Sequence, residues 1–375
     1  MTGARCIYAA VLAAACSLGG CATTTTPVDR PQAAPAGTAA GGASHLRVEV
    51  QPLATVSNSG LELPVVSPDG RYVACLDVRV GSHSAVTPAS LMRGEGLAAV
   101  SLKLLDTTTG RSRTVATGGA CWPSWTAAGK LLYVSYDGSG SAMLVLYDPA
   151  TGDAERKSTG LAKVIMAAPS PDGRMVAMVA LPQPGKAIIR LLTWRTATLL
   201  PGPAADGADW QLRPIWLSGQ ELAYVQRRGD KSSLMRWQFA AGRPCRVATI
   251  STPADLVDAG QSFAGIVSPR SPDGRFLAYY DAGADAICLV DLTTGRSRKL
   301  EEHSRAGCWA GPRAFAECTG RGVMLMRPDG GARNTLMDGT WLACWGAADG
   351  GQILCLSRGS GPWTFNLVRM RLIRG

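Results

Sequence analysis

Ser170-Pro171-Asp172-Gly173-Arg174, running into Met175-Val176-Ala177, is the stretch from which the rest of this chain can be read. Proline presets the φ of a turn's second residue, aspartate caps the turn with its side chain, and glycine takes the positive φ that ends it. An apolar run follows at once, so the octapeptide predicts a tight turn feeding a buried strand. The same pentapeptide stands at 67–71 before Tyr72-Val73-Ala74, and at 271–275 before Phe276-Leu277-Ala278. Three near-identical copies, each leading into apolar residues, are an internal repeat.

Weaker copies lie between and after these three. Trp125-Thr126-Ala127-Ala128-Gly129 precedes Leu131-Leu132-Tyr133-Val134, and Trp216-Leu217-Ser218-Gly219 precedes Leu222-Ala223-Tyr224-Val225. Cys308-Trp309 precedes Ala314-Phe315-Ala316, and Cys344-Trp345-Gly346 leads towards Ile353-Leu354-Cys355-Leu356. That makes seven units at intervals of roughly 35–60 residues, the spacing of propeller blades. The sixth unit is the shortest, and six blades result if it is not independent. Trp125, Trp216, Trp309 and Trp345 recur at what reads as one repeat position, which points to packing between units. Trp122, Trp194, Trp210, Trp237, Trp341 and Trp363 fall off that register.

A second signature has a fixed place within units. Asp106-Thr107-Thr108-Thr109-Gly110, Asp148-Pro149-Ala150-Thr151-Gly152 and Asp291-Leu292-Thr293-Thr294-Gly295 each follow a strand-like run. This predicts a hairpin loop between two strands. One unit then holds four strands, and the expected fold is all-β: a single β-propeller of seven four-stranded blades over residues 46–375. Leu46-Arg47-Val48-Glu49-Val50 alternates like a strand and is expected to complete the last blade and lock the ring.

These motifs resemble the WD40-like repeats of TolB-type β-propellers, in which a Trp-Ser-Pro-Asp-Gly turn recurs blade by blade. The resemblance spans roughly residues 61–375. The Ser-Pro-Asp-Gly units here carry Val66, Pro169 and Arg270 where that pattern has tryptophan, and the tryptophan-bearing units have lost Ser-Pro-Asp. The resemblance implies an envelope scaffold that contacts other proteins. No α/β domain of the kind that precedes such propellers is visible, so a Tol-complex role does not follow.

The chain is 375 residues long, with 46% hydrophobic and 18% charged residues, enough to build a large core. Its 44 glycines and 23 prolines suit many short strands. The formal charge of +10 favours anionic surfaces. The basic residues are scattered, with no Lys/Arg run, so nucleic acid is not an expected partner.

Residues 1–20 read as a signal peptide: Arg5, an uncharged apolar core from Ile7 to Leu18, then Leu18-Gly19-Gly20-Cys21. That tetrapeptide resembles the lipobox of bacterial lipoproteins, which implies diacylglycerol on the Cys21 thiol and a membrane anchor there. Ala22 in place of aspartate favours the outer membrane, with the protein facing the periplasm. Residues 21–45 are a lipidated N-terminus and flexible linker, rich in Thr, Pro, Ala and Gly. Such a chain has an r.m.s. reach of roughly 25–30 Å.

Eight cysteines follow the linker: Cys75, Cys121, Cys245, Cys288, Cys308, Cys318, Cys344 and Cys355. An exported protein permits disulfides among them. Cys75, Cys288 and Cys355 sit in apolar runs and read as small buried hydrophobes. No CxxC pair is present, so a zinc or redox motif has no support.

Catalytic, cofactor and metal residues are not expected. His45, His83 and His303 are the only histidines, no G-x-S-x-G elbow occurs, and no further stretch has the length of a hydrolase domain. Asp69, Asp172 and Asp273 lie in turns that already explain them, as do Asp106, Asp148 and Asp291. The expected function is non-catalytic: a binding scaffold for an envelope protein, peptidoglycan or another glycan. A carbohydrate-active propeller, or a sensor binding a ligand in its central channel, is the alternative.

Overall fold

The computed structural model describes residues 46–57, 64–78, 96–136, 140–183, 185–250, 269–281, 283–302, 306–319, 321–331, 333–346, 351–360 and 364–374, with Ser90 and Ser304. Cys21 and the rest of 1–45, the three histidines and Trp363 lie outside these residues.

The strands fall into seven blades in chain order. Blade 1 is Val65–Val66, Tyr72–Val78, Val100–Asp106 and Ser112–Ala116, inner to outer. Blade 2 is Cys121–Trp125, Leu131–Tyr136, Ala142–Tyr147 and Ala154–Ser158. Blade 3 is Val164–Pro169, Met175–Gln183, Lys186–Thr193 and Thr198–Pro201, and blade 4 is Trp210–Ser218, Glu221–Arg228, Lys231–Gln238 and Cys245–Ile250. A single parallel pair, Ala187 with Trp210, joins blades 3 and 4. Blade 5 has Phe276–Asp281, Ala286–Asp291 and Ser297–Glu302, with Arg270 bridged to Leu277 at its inner edge. Blade 6 is Ala306–Trp309, Phe315–Cys318, Gly322–Met326 and Arg333–Asp338. Blade 7 is Ala343–Gly346, Gln352–Arg358, Thr364–Arg374 and, outermost, Leu46–Ser57. The sixth unit is therefore a blade of its own, and the count among the described residues is seven.

The N-terminal strand pairs antiparallel with the C-terminal one from Leu46 opposite Arg374 to Ser57 opposite Thr364. The expected closing strand is present and runs seven residues beyond Val50, with an irregularity between Pro52 and Ala54.

Burial explains the sequence pattern. A middle strand is covered by a neighbouring blade on each face, so it reads as an unbroken apolar run. Ala286-Ile287-Cys288-Leu289-Val290-Asp291 is buried at every position. The outermost strand of blade 2, Ala154-Glu155-Arg156-Lys157-Ser158, is almost wholly exposed and correspondingly polar.

Apolar packing connects every blade to the next. One cluster runs through blades 1 to 4, from Leu76 to Tyr224. Leu217 and Val225 meet Leu277 and Tyr279 between blades 4 and 5, and Ala278 and Leu289 meet Trp309 and Phe315 between blades 5 and 6. Cys308 and Val323 meet Ile353 and Met370 between blades 6 and 7. Val73, Cys75 and Leu105 of blade 1 share a cluster with Trp345, Leu354 and Leu367 of blade 7. Hydrophobic burial thus seals the join between first and last blades as it seals the others.

One repeat assignment is corrected. Trp309 pairs with Phe315 and packs towards blade 5, the preceding blade. In blade 7 the matching inner-strand position is Gly346, paired with Ile353, whose pro-Cβ direction meets the Trp309 carbonyl oxygen. A side chain there would strike the backbone of blade 6. Trp345 is one residue earlier, so it points the other way, into the interface with blade 1.

Candidate functional site

An antiparallel blade puts its first and third turns at one end and its second turn, with the link to the next blade, at the other. The Ser-Pro-Asp-Gly and Asp-x-x-x-Gly turns therefore share one face of the ring, called the turn face below. Contacts between neighbours agree. Asp172 lies 3.0 Å from where a Cβ on Gly219 would stand, Arg298 Nη1 donates to the Pro328 carbonyl at 3.3 Å, and Arg113 bonds the Pro149 carbonyl.

Each Ser-Pro-Asp-Gly turn is closed by its own side chains. In blade 3 the Ser170 hydroxyl donates to Asp172 Oδ1 at 2.6 Å and accepts from the Met175 N–H at 2.9 Å. Asp172 Oδ1 also accepts from the Arg174 N–H at 3.2 Å, and Gly173 has φ +67°. Blades 1 and 5 repeat this with Ser67 and Asp69, and with Ser271 and Asp273. The Asp-x-x-x-Gly turns are equally self-contained. Gly110, Gly152 and Gly295 donate to the carbonyls of Asp106, Asp148 and Asp291 at 2.8–2.9 Å, and each carboxylate caps N–H groups two or three residues on.

The electrostatics follow from these bonds. The Ser170 hydroxyl, then the Arg174 N–H, hold Asp172 below the usual carboxylate range. The Ala150 N–H does the same for Asp148. Desolvation pushes Asp106 and Asp291 upwards, but turn N–H groups outweigh it in both, aided by the Thr108 hydroxyl in the first and Arg275 in the second, and both end low. Arg275 makes two bonds to Asp291 Oδ2, at 2.8 and 3.1 Å, while its guanidinium lies 4.9 Å from the Phe276 ring centre. Phe276 in turn stacks on Trp309 at 6.1 Å, and Tyr72 stacks on Trp125 at 6.4 Å. The six turn aspartates are thus each tied into the ring by the backbone of their own turn. Among the described residues no three His, Cys, Asp or Glu side chains group to hold a metal ion.

The opposite face has different features. Trp122 and Arg213 stand three residues before Trp125 and Trp216, each directly before a proline, and take φ of +55° and +53°. A bulky residue rarely occupies that region, least of all before proline. Both coincide with breaks in strand register, between Cys121 and Ser124 and between Leu212 and Ile215. The Trp-Pro and Arg-Pro pairs were readable in the sequence, but the bulge they make was not. On this face Gln211 and Gln226 also pin the 203–205 loop, donating to the carbonyls of Pro203, Ala204 and Ala205.

Of the off-register tryptophans, Trp194 donates to Glu155 at 3.0 Å, Trp210 to the Gly185 carbonyl at 2.9 Å beneath Arg227, and Trp341 to the Asp338 carbonyl. Trp237 is buried against Phe239. The eight described cysteines are all free thiols, and every one except Cys245 is buried. Burial pushes Cys75 up to about 12. Cys308, Cys318, Cys344 and Cys355 share the interface between blades 6 and 7, where the Cys344 thiol donates to the Ala316 carbonyl at 3.6 Å. The sequence showed Cys355 in an apolar run but not that four cysteines converge here.

No family model matches this chain, and neither does any curated protein. Solved structures do. An oligogalacturonate lyase in complex with manganese is similar over 88% of this chain and 96% of its own, at 13% identity and a TM-score of 0.56. The β-propeller domain of the Trilobed protease from Pyrococcus furiosus, described as having an open velcro topology, is similar over 79% and 90%, at 10% identity and a TM-score of 0.51. TolB from Acinetobacter baumannii is similar at 17% identity and a TM-score of 0.46, with 83% of this chain covering 66% of that one. This chain therefore spans just under two thirds of that TolB. TolB and other propellers are among its structural neighbours, as the repeats led one to expect, and at these identities the likeness is one of fold.

Proposed function

We propose that this chain is an exported lipoprotein, acylated at Cys21, whose propeller is a non-catalytic scaffold for an envelope protein or glycan. Residues 1–20 are removed on export, 21–45 tether, and 46–375 bind. The observation that carries the reading is how the turn carboxylates are used. Asp69, Asp106, Asp148, Asp172, Asp273 and Asp291 are each engaged by the backbone of their own turn. What remains is a stiff ring that presents loops and a bulged rim, the form of a recognition platform. The strained backbone at Trp122 and Arg213 supports the face opposite those turns as the binding rim. Among the described residues no helix is long and apolar enough to cross a membrane.

The test is affinity capture of the native protein from crosslinked envelopes, beside a Cys21→Ala control. A defined protein or peptidoglycan fragment that co-purifies, and is lost or weakened in the control, supports the tethered scaffold. Capture of nothing sinks it and directs the search to glycans and small molecules in the channel.

A further inference from the structure

We propose that the turn face is a membrane-docking surface for anionic phospholipid headgroups. The inference deepens the lipoprotein reading and rests on it only for the tether.

Charge is the first observation. Among the described residues of the turn face Lys and Arg outnumber Asp and Glu, whereas on the opposite face the two are nearly balanced. Arg111, Arg195, Arg243, Arg296, Arg313 and Arg333 are exposed on the turn face and come from five different blades. Arg174 beside them is 85% exposed. Four of the six turn aspartates pair with basic neighbours on this face, Asp106 with Arg71, Asp148 with Lys130, Asp172 with Arg174 and Asp291 with Arg275, and the excess of basic residues is what remains beyond those pairs. The opposite face carries Asp206, Asp209, Asp230 and Asp285 among its own basic residues. A basic face spread over the ring is what a flat anionic surface attracts, because every headgroup contact adds within a Debye length of about 10 Å.

Position is the second. Gln352, the first residue after the first turn of blade 7, pairs with Arg371 and lies against Gly70 of the blade 1 turn. The pairing of Thr364–Arg374 with Leu46–Ser57 continues past this point to Leu46 and Arg374. Three more residues at 3.3–3.4 Å each extend that two-stranded ribbon about 10 Å beyond the level of Gln352. The extension carries Arg47, 76% exposed, and Ile373, 39% exposed, one of three exposed large hydrophobics among the described residues. An apolar residue flanked by arginines suits the boundary between headgroups and acyl chains. Leu46, the first described residue of the chain, stands at the end of this ribbon, on the side of the basic face. The bulged rim around Trp122 and Arg213 then points away from the lipid.

The test is sedimentation of the full chain carrying Cys21→Ala, which cannot be acylated, with lipid vesicles. Vesicles of phosphatidylglycerol and phosphatidylcholine in a 30:70 ratio are compared with phosphatidylcholine alone. The chain is expected to sediment with the anionic vesicles only, and less as salt rises. Charge reversal at Arg111, Arg195, Arg296 and Arg313 is expected to weaken binding by about fivefold or more per residue. Reversal at Lys186, Arg228, Lys231 and Arg321 on the other face is expected to change it less than twofold. Circular dichroism confirms that each variant is folded. Equal binding to neutral vesicles, no binding to anionic ones, or equal loss from both sets of variants overturns the proposal. Retention on purified peptidoglycan without vesicle binding overturns it too. Intact mass of the native protein reads acylation separately: an unmodified Cys21 with vesicle binding intact removes the anchor and leaves the face.

Discussion

The indole N–H of Trp216, near the end of the inner strand of blade 4, donates to the Ala168 carbonyl on the inner strand of blade 3 at 2.8 Å. The same bond runs from Trp125 to Val65 and from Trp309 to Pro269, both at 3.1 Å. Val65, Ala168 and Pro269 each stand two residues before a Ser-Pro-Asp-Gly serine. Three units that kept tryptophan are thus bolted to preceding units that kept Ser-Pro-Asp-Gly. The Trp345 indole N–H is buried without a hydrogen-bond partner.

Trp216→Phe should therefore destabilise the fold by about 1 kcal/mol, leaving a buried carbonyl without its donor. Trp345→Phe should cost less, because both variants lose ring packing but only Trp216 loses a hydrogen bond. Urea midpoints of the two variants test this. Equal losses would mean the bond at Trp216 contributes nothing.

The serine of the turn is the next test. Ser170→Ala removes the bridge from Asp172 to the Met175 N–H and should cost about 1–2 kcal/mol. Gly173→Ala meets no atom within 4 Å, so its cost should come from φ alone, about 1 kcal/mol. A larger effect at Gly173, measured by thermal unfolding, would reveal a contact that this geometry lacks.

Acid should weaken the ring through the turn carboxylates. Asp148 and Asp172 titrate below the usual value of 3.8 in the folded state. Their contribution is fully present above that value and is lost as pH falls through the lower folded values. Asp172→Asn should flatten this acid limb. Urea titrations at pH 6 and pH 3 would show it, and an unchanged pH slope would contradict the role given to Asp172.

Thiol chemistry should separate surface from interior. Among the described cysteines, Cys245 should react with a thiol reagent at pH 8, while Cys308, Cys318, Cys344 and Cys355 stay silent until denaturant is added. Peptide mapping after alkylation reads each site. Labelling of Cys344 in the folded protein would show that blades 6 and 7 separate readily.

Ring closure should depend on the N-terminal strand. A chain beginning at residue 58 lacks the partner of Thr364–Arg374 and exposes that long strand as an edge. It should unfold at lower denaturant and aggregate, as light scattering would report. Addition of a peptide spanning 46–57 should reverse this in part.

The local chemistry of this protein was legible in its residues. Ser-Pro-Asp-Gly and Asp-x-x-x-Gly dictate turns because proline, a short acceptor side chain and a glycine at positive φ each act within a few bonds. The apolar runs between them dictate strands covered on both faces, and their recurrence gave the blades and the closing strand. The repeat tryptophan of blade 7 was misread because the residues around Trp345 look alike in a one-dimensional pattern. Only the pairing of Gly346 with Ile353 fixes which side chain faces which blade, since a shift of one residue reverses a strand's faces. Folding also decided that four cysteines from two blades meet in one interface. It decided that Trp122 and Arg213 bulge on one face, and that arginines far apart in sequence gather on the other. Each of these depends on distances across the ring, which are set by how blades pack against one another and not by any neighbour along the chain.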